Sequence, residues 1–65
     1  MINREAKLPF YYQLYNILRG EILRGDWKPG DLIPSEAELT AEYDLSRATV
    51  RQALDMLAND GLISR

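Results

Sequence analysis

Only two residues, Asp44 and Leu45, separate two segments that each carry the marks of a helix. Upstream, "PSEAEL" sets Ser35 three residues before Glu38. That is capping-box spacing: the serine oxygen takes one unpaired backbone N–H and the glutamate reaches back to another. Pro34 and Leu39 occupy the flanking staple positions. Glu36 and Glu38 place acid in the first turn, where the helix dipole favours it. This helix is expected to run to about Tyr43. Downstream, Ser46 is a good N-cap, and Leu45 with Val50 forms a second staple pair. A link this short forces a sharp angle between two short helices. Asp44 is the expected left-handed residue of the link, since Asp tolerates that conformation better than most non-glycine residues.

The rest of the chain supplies something for that pair to pack on. After Pro9, a residue suited to a helix start, Phe10, Tyr11, Leu14, Ile17, Leu18 and Ile22 recur at three- and four-residue spacing. This predicts a first helix with one apolar stripe, stopped near Gly25. Gly20 inside it costs about 1 kcal/mol against Ala. In "GDWKPGDLIPSE", Pro29-Gly30 marks a turn and Pro34 an end, with Leu32 and Ile33 as a very short strand and Trp27 as a core cover. Gly61 is expected to end the third helix, and "GLISR" to open another strand. The chain is too small for more than one domain, and a chain of its 65 residues buries only about 60% of its unfolded surface. The expected fold is mainly α: three helices with short strands, in a single domain spanning residues 1–65.

Composition excludes several kinds of chemistry. No Cys or His is present, which removes disulfides, cysteine-rich zinc sites and imidazole catalysis. No cofactor or metal is expected. No long apolar run suggests a leader or a membrane span, and a reducing cytoplasm is the expected location. The net charge is −2 but unevenly distributed. Residues 1–28 carry five basic and three acidic groups, 29–45 five acidic and no basic, and 46–65 three basic and two acidic. The acid therefore lies largely where helix capping uses it, and two other segments remain locally positive.

The third helix has two unlike sides. At about 100° per residue, Ala53, Leu54 and Leu57 fall within about 60° of Val50 and make a buried stripe. Ala48, Arg51, Gln52 and Asp55 face away, with Arg47 and Thr49 on the flanks. Arg can pair bidentately with guanine or clamp a phosphate, and Gln can read adenine. A small residue such as Ala48 lets a helix approach base edges, and its methyl can touch that of thymine. Hydroxyls at Ser46 and Thr49 suit phosphate oxygens. An exposed Arg pair one turn apart is ordinarily only a solvated helix face. Set on the second of two capped helices joined by a two-residue turn, it points instead to a helix-turn-helix with this helix in the major groove.

At this point the sequence resembles the N-terminal DNA-binding domain of GntR-type bacterial transcription regulators, most of all the HutC-like branch. The resemblance runs from about Leu8 to Arg65. It rests on "YYQL", "GDWKPGDLIPSE", "SRATVRQAL" and "DGLI". It implies a winged helix-turn-helix in which Leu32 and Ile33 pair with strands after Gly61, the wing being truncated in this chain. It also implies a recognition helix at about 46–60, a double-stranded DNA operator, and DNA contacts on Ser35, Ser46, Arg47, Ala48, Thr49 and Arg51. To these the helix face adds Gln52. By the same resemblance a homodimeric parent, a repressor, would bind a small-molecule effector only through a C-terminal domain missing here. Four positions depart from the pattern. Ala37 stands where members often have Arg, Ala48 where a hydroxyl is usual, Asp44 at the turn glycine and Thr40 at an alanine. Weaker or differently specified binding is the expected consequence.

Two other functions are weighed against this one. In a protein-interaction module, Tyr11, Tyr12, Tyr15 and Trp27 would form an exposed apolar patch. In an enzyme, catalysis would fall to Glu36, Glu38 and Asp44, whose capping and turn positions explain them more simply.

Overall fold

In a computed structural model, which describes residues 2–27 and 34–64, the chain forms three helices. They are α1 (Phe10–Leu23), α2 (Glu36–Tyr43) and α3 (Arg47–Asn59). Each follows from its ends. Pro9 precedes α1 in an extended conformation, and its carbonyl accepts the N–H groups of Tyr12 and Gln13. At the other end Gly25 takes φ +86°, Gly25 N–H bonds to Ile22 O and Asp26 N–H to Glu21 O. This is a Schellman stop, which needs the left-handed residue that glycine supplies without strain. The same motif closes α3: Gly61 has φ +76°, Gly61 N–H bonds to Ala58 O and Leu62 N–H to Leu57 O.

The capping box at α2 is complete. Ser35 Oγ accepts from Glu38 N–H at 3.1 Å, and Glu38 Oε1 accepts from Ser35 N–H at 3.1 Å. Asp44 sits at φ 54°, ψ 53°, the left-handed turn residue expected from the sequence. α3 is the central element, with α1 and α2 packed against it. Their shared core is Leu14, Leu18, Leu39, Tyr43, Leu45, Val50, Ala53, Leu54 and Leu57. Phe10, Tyr11, Ile17, Ile22 and Trp27 pack around it partly buried, so Trp27 does cover the core.

The strand expected after Gly61 is not formed among the described residues. Gly61 is spent on the helix stop, and Leu62 and Ile63 turn in, half-buried against the core. A strand needs a neighbour to complete its ladder, and its intended partners, Leu32 and Ile33, lie outside the described residues.

Two features were not foreseen. Gln13 is buried, and its amide serves the main chain of the N-terminal arm. Its Oε1 accepts from Asn3 N–H at 2.7 Å, and its Nε2 donates to Asn3 O and Leu8 O, both at 2.9 Å. The arm is thereby pinned to α1. Thr40 Oγ1, by contrast, is buried with no hydrogen-bond partner among the described residues. An unsatisfied buried hydroxyl costs about 1–3 kcal/mol. Thr40→Val keeps the shape and removes that hydroxyl, so it should raise stability by about 1 kcal/mol in a urea melt. A loss of stability would show that the hydroxyl has a partner in solution.

Gly20 can take a methyl if one flexible neighbour gives way slightly. A Cβ there would meet only the movable tip of Arg24, 3.3 Å away. Gly20→Ala should therefore recover most of the helix-propensity deficit, about 0.5–1 kcal/mol in the same melt. A lowered midpoint would mean that this tip cannot shift aside.

Candidate nucleic-acid interface

The first two turns of α3 present a polar surface over an apolar underside. Arg47, Ala48, Arg51 and Gln52 are exposed, while Val50, Ala53, Leu54 and Leu57 are buried. Thr49 lies between the two, half-buried. Helical periodicity alone produces this division. The core holds one side of α3 down and so turns the other outward.

Ser46 organises the start of the helix. Its Oγ accepts from Thr49 N–H at 3.1 Å, and its own O–H donates to Thr49 Oγ1 at 2.7 Å. Thr49 thus accepts from Ser46 and keeps its own hydroxyl proton to give to an incoming oxygen. The first backbone N–H groups of α3 add a positive end, which suits an anion.

Arg51 is not isolated. Its Nε lies 3.4 Å from Oε1 of Glu36, the first residue of α2. The start of α2 therefore runs beside the second turn of α3, and Ser35 is one residue from that contact. With the arginine side chain 58% exposed, water screens the pair and its stabilising value is small. Its effect is on geometry and local charge: the guanidinium is held over the α2–α3 seam beside a carboxylate. Arg47, also exposed, forms no ion pair among the described residues. Sequence reasoning missed the role of Glu36, because its first-turn position already had a dipole explanation.

The other carboxylates once weighed for catalysis have structural work. Glu38 closes the capping box, and Asp44 occupies the turn. Nor do the aromatics make one open patch. Tyr12 is exposed, but it stacks on Tyr15 with ring centroids 6.0 Å apart, and Tyr11 and Trp27 pack on the core. The Tyr15 hydroxyl donates to the Asp60 carboxylate, tying α1 to the end of α3. That bond, above all, pushes the Tyr15 phenol above its ordinary pKa. Among the described residues there is no group of three or more Asp or Glu that could hold a metal ion, and no helix long and apolar enough to cross a membrane.

The sequence that forms this helix-turn-helix matches a known family. Residues 10–65 fit the model of the bacterial regulatory proteins, gntR family. The chain belongs to the gntR family. Its matched segment is a GntR-family DNA-binding domain. The HTH-type transcriptional repressor NagR of Bacillus subtilis is 42% identical over 98% of this chain. The histidine utilization repressor of Klebsiella aerogenes is 44% identical over 95%. The mannosyl-D-glycerate transport/metabolism system repressor MngR of Escherichia coli is 44% identical over 85%. These alignments cover only 26%, 26% and 23% of the three repressors, so the chain spans about a quarter of their length. The histidine utilization repressor agrees with the HutC-like branch suggested by the sequence.

Proposed function

We propose that this chain is the sequence-reading part of a bacterial transcription repressor, with α3 lying in the major groove of an operator. The observation that carries this reading is the exposed Arg47–Ala48–Arg51–Gln52 surface, backed by a buried stripe, on the second helix of a capped pair. In this reading Arg47 and Arg51 pair with guanine edges or phosphates, and Gln52 reaches a base. Thr49 gives its hydroxyl proton to a backbone phosphate, Ser46 joins it by turning its own O–H from Thr49 to a phosphate oxygen, and Ser35 meets the backbone from the start of α2. Ala48 lets the helix come close. The work takes place in the cytoplasm, inside a longer chain whose further domain binds a small effector and dimerises. A two-fold dimer would meet half-sites about 34–36 Å apart or a multiple of that.

Fluorescence anisotropy on a duplex selected by this chain from a randomised pool is the test. Log affinity should fall linearly with log salt concentration, as counterions are released from the phosphates contacted. No binding even at about 50 mM salt would reject the reading. The Glu36–Arg51 pair adds a sharper expectation. Glu36→Gln removes a carboxylate from the face and frees Arg51 of that partner. Binding to random-sequence duplex should tighten by about threefold at low salt, and the gain should fade as salt screens it. An unchanged random-sequence affinity would mean that Glu36 lies away from the bound DNA.

A further inference from the structure

We infer that the N-terminal arm, residues 2–8, is a working part of the DNA-reading unit, and that Arg4 is a positioning residue that sets the helix-turn-helix from outside it. Arg4 Nη2 donates to the carbonyl oxygens of Tyr43 at 2.9 Å and Asp44 at 2.7 Å. The carbonyls that end a helix have no partner within it, and a cation there complements the dipole. α2 has no basic residue in its own last turn. Arg4 supplies the missing charge from 40 residues away.

The guanidinium is held on a second side. Its Cζ lies 5.3 Å from the centroid of the Phe10 ring, so it bridges the first residue of α1 and the end of α2. Nor is it on a loose tail, because the residue just before it, Asn3, is bonded through its N–H and C=O to the buried Gln13 amide. The Asp44 carboxylate, 3.7 Å from Nη2, is almost fully exposed and contributes little. The two carbonyl bonds carry the contact.

Their place gives them a function. Asp44 is the single described non-glycine residue with positive φ. An L-residue in left-handed backbone is held against its own preference, though Asp less so than most. The next residues are Leu45, which is buried, and Ser46, the cap of α3. A turn that relaxes at Asp44 therefore rotates the face bearing Arg47 and Arg51. Arg4 holds the turn and thereby the aim of α3.

This inference rests on the DNA-reading role proposed for α3, and one experiment separates the two. Wild-type chain, Arg4→Ala, Asp44→Gly and the double variant are titrated onto the selected duplex, at a temperature where far-UV circular dichroism shows each folded. Arg4→Ala should weaken binding about threefold to tenfold, which is the size of a lost helix-end interaction. The salt slope should not change, and the amide resonances of Ala48 to Gln52 should shift in the free protein. In the Asp44→Gly chain the same Arg4 substitution should cost little, because the turn no longer needs holding. Equal affinity of Arg4→Ala and wild type overturns the inference and leaves the role of α3 intact. A salt slope lower by about one also overturns it, since Arg4 would then be a phosphate contact itself. An Arg4→Ala chain that does not fold, with a double variant that folds yet binds as weakly as an unheld turn predicts, overturns it too. A wild-type chain that binds no duplex defeats both proposals.

Discussion

Leu57→Ala is expected to leave the chain largely unfolded at room temperature. Leu57 is completely buried on α3, the helix that carries both others. Truncating a buried leucine removes its transfer free energy and leaves a cavity, about 2–5 kcal/mol together. A single core in a chain this short supplies only about 3–5 kcal/mol of stability. One substitution can therefore consume most of it. The carbonyl of Leu57 also accepts Leu62 N–H in the helix stop, so collapse of the helix there would undo the stop as well. Leu23→Ala is the control. That side chain is 60% exposed, and its loss should shift the melting midpoint little. Circular dichroism melts of the two variants check the pair. A cooperative melt in Leu57→Ala near the wild-type midpoint would show that the core lies elsewhere.

The largest expected effect on DNA comes from Arg47→Ala combined with Arg51→Ala. Both arginines are exposed on the face opposite the core, so the double variant should fold normally. A good bidentate arginine–base pair is worth about 1–3 kcal/mol, and a phosphate contact contributes to the salt slope. Losing both should weaken binding to the selected duplex by about thirtyfold or more. The slope of log affinity against log salt should flatten by about one for each arginine that neutralises a phosphate. Removal of the ion pair also leaves Glu36 facing the DNA without that partner, which adds repulsion. The two substitutions are one turn apart on one surface and need not add.

The part of the fold that presents this surface was legible because its signals are local. Ser35 with Glu38, Ser46 before Thr49, and Asp44 between the helices act within a few residues. Chain spacing is therefore enough to find them. The buried stripe of α3 followed from periodicity in the same way. What the sequence concealed depends on partners far along the chain. Nothing within α1 marks Gln13 for burial, which makes sense only once Asn3 and Leu8 bring it main-chain groups. Arg4 and Asp44 are 40 residues apart. The strand expected after Gly61 was read from the short run "GLISR", whereas a strand is a property of a pair. Glu36 was legible as a helix-start acid, but its contact with Arg51 depends on how α2 crosses α3.

The DNA-reading role of α3 is tested most directly by titrating the selected duplex into isotopically labelled chain and following each backbone amide by NMR. The largest changes should fall at Ser46, Arg47, Ala48, Thr49, Arg51 and Gln52, with a second group at Ser35 and Glu36. The amides near Tyr11, Tyr12, Tyr15 and Trp27 should move least. Changes centred on that aromatic set, with α3 unmoved, would contradict a recognition helix at 46–60 and favour a protein-docking surface instead.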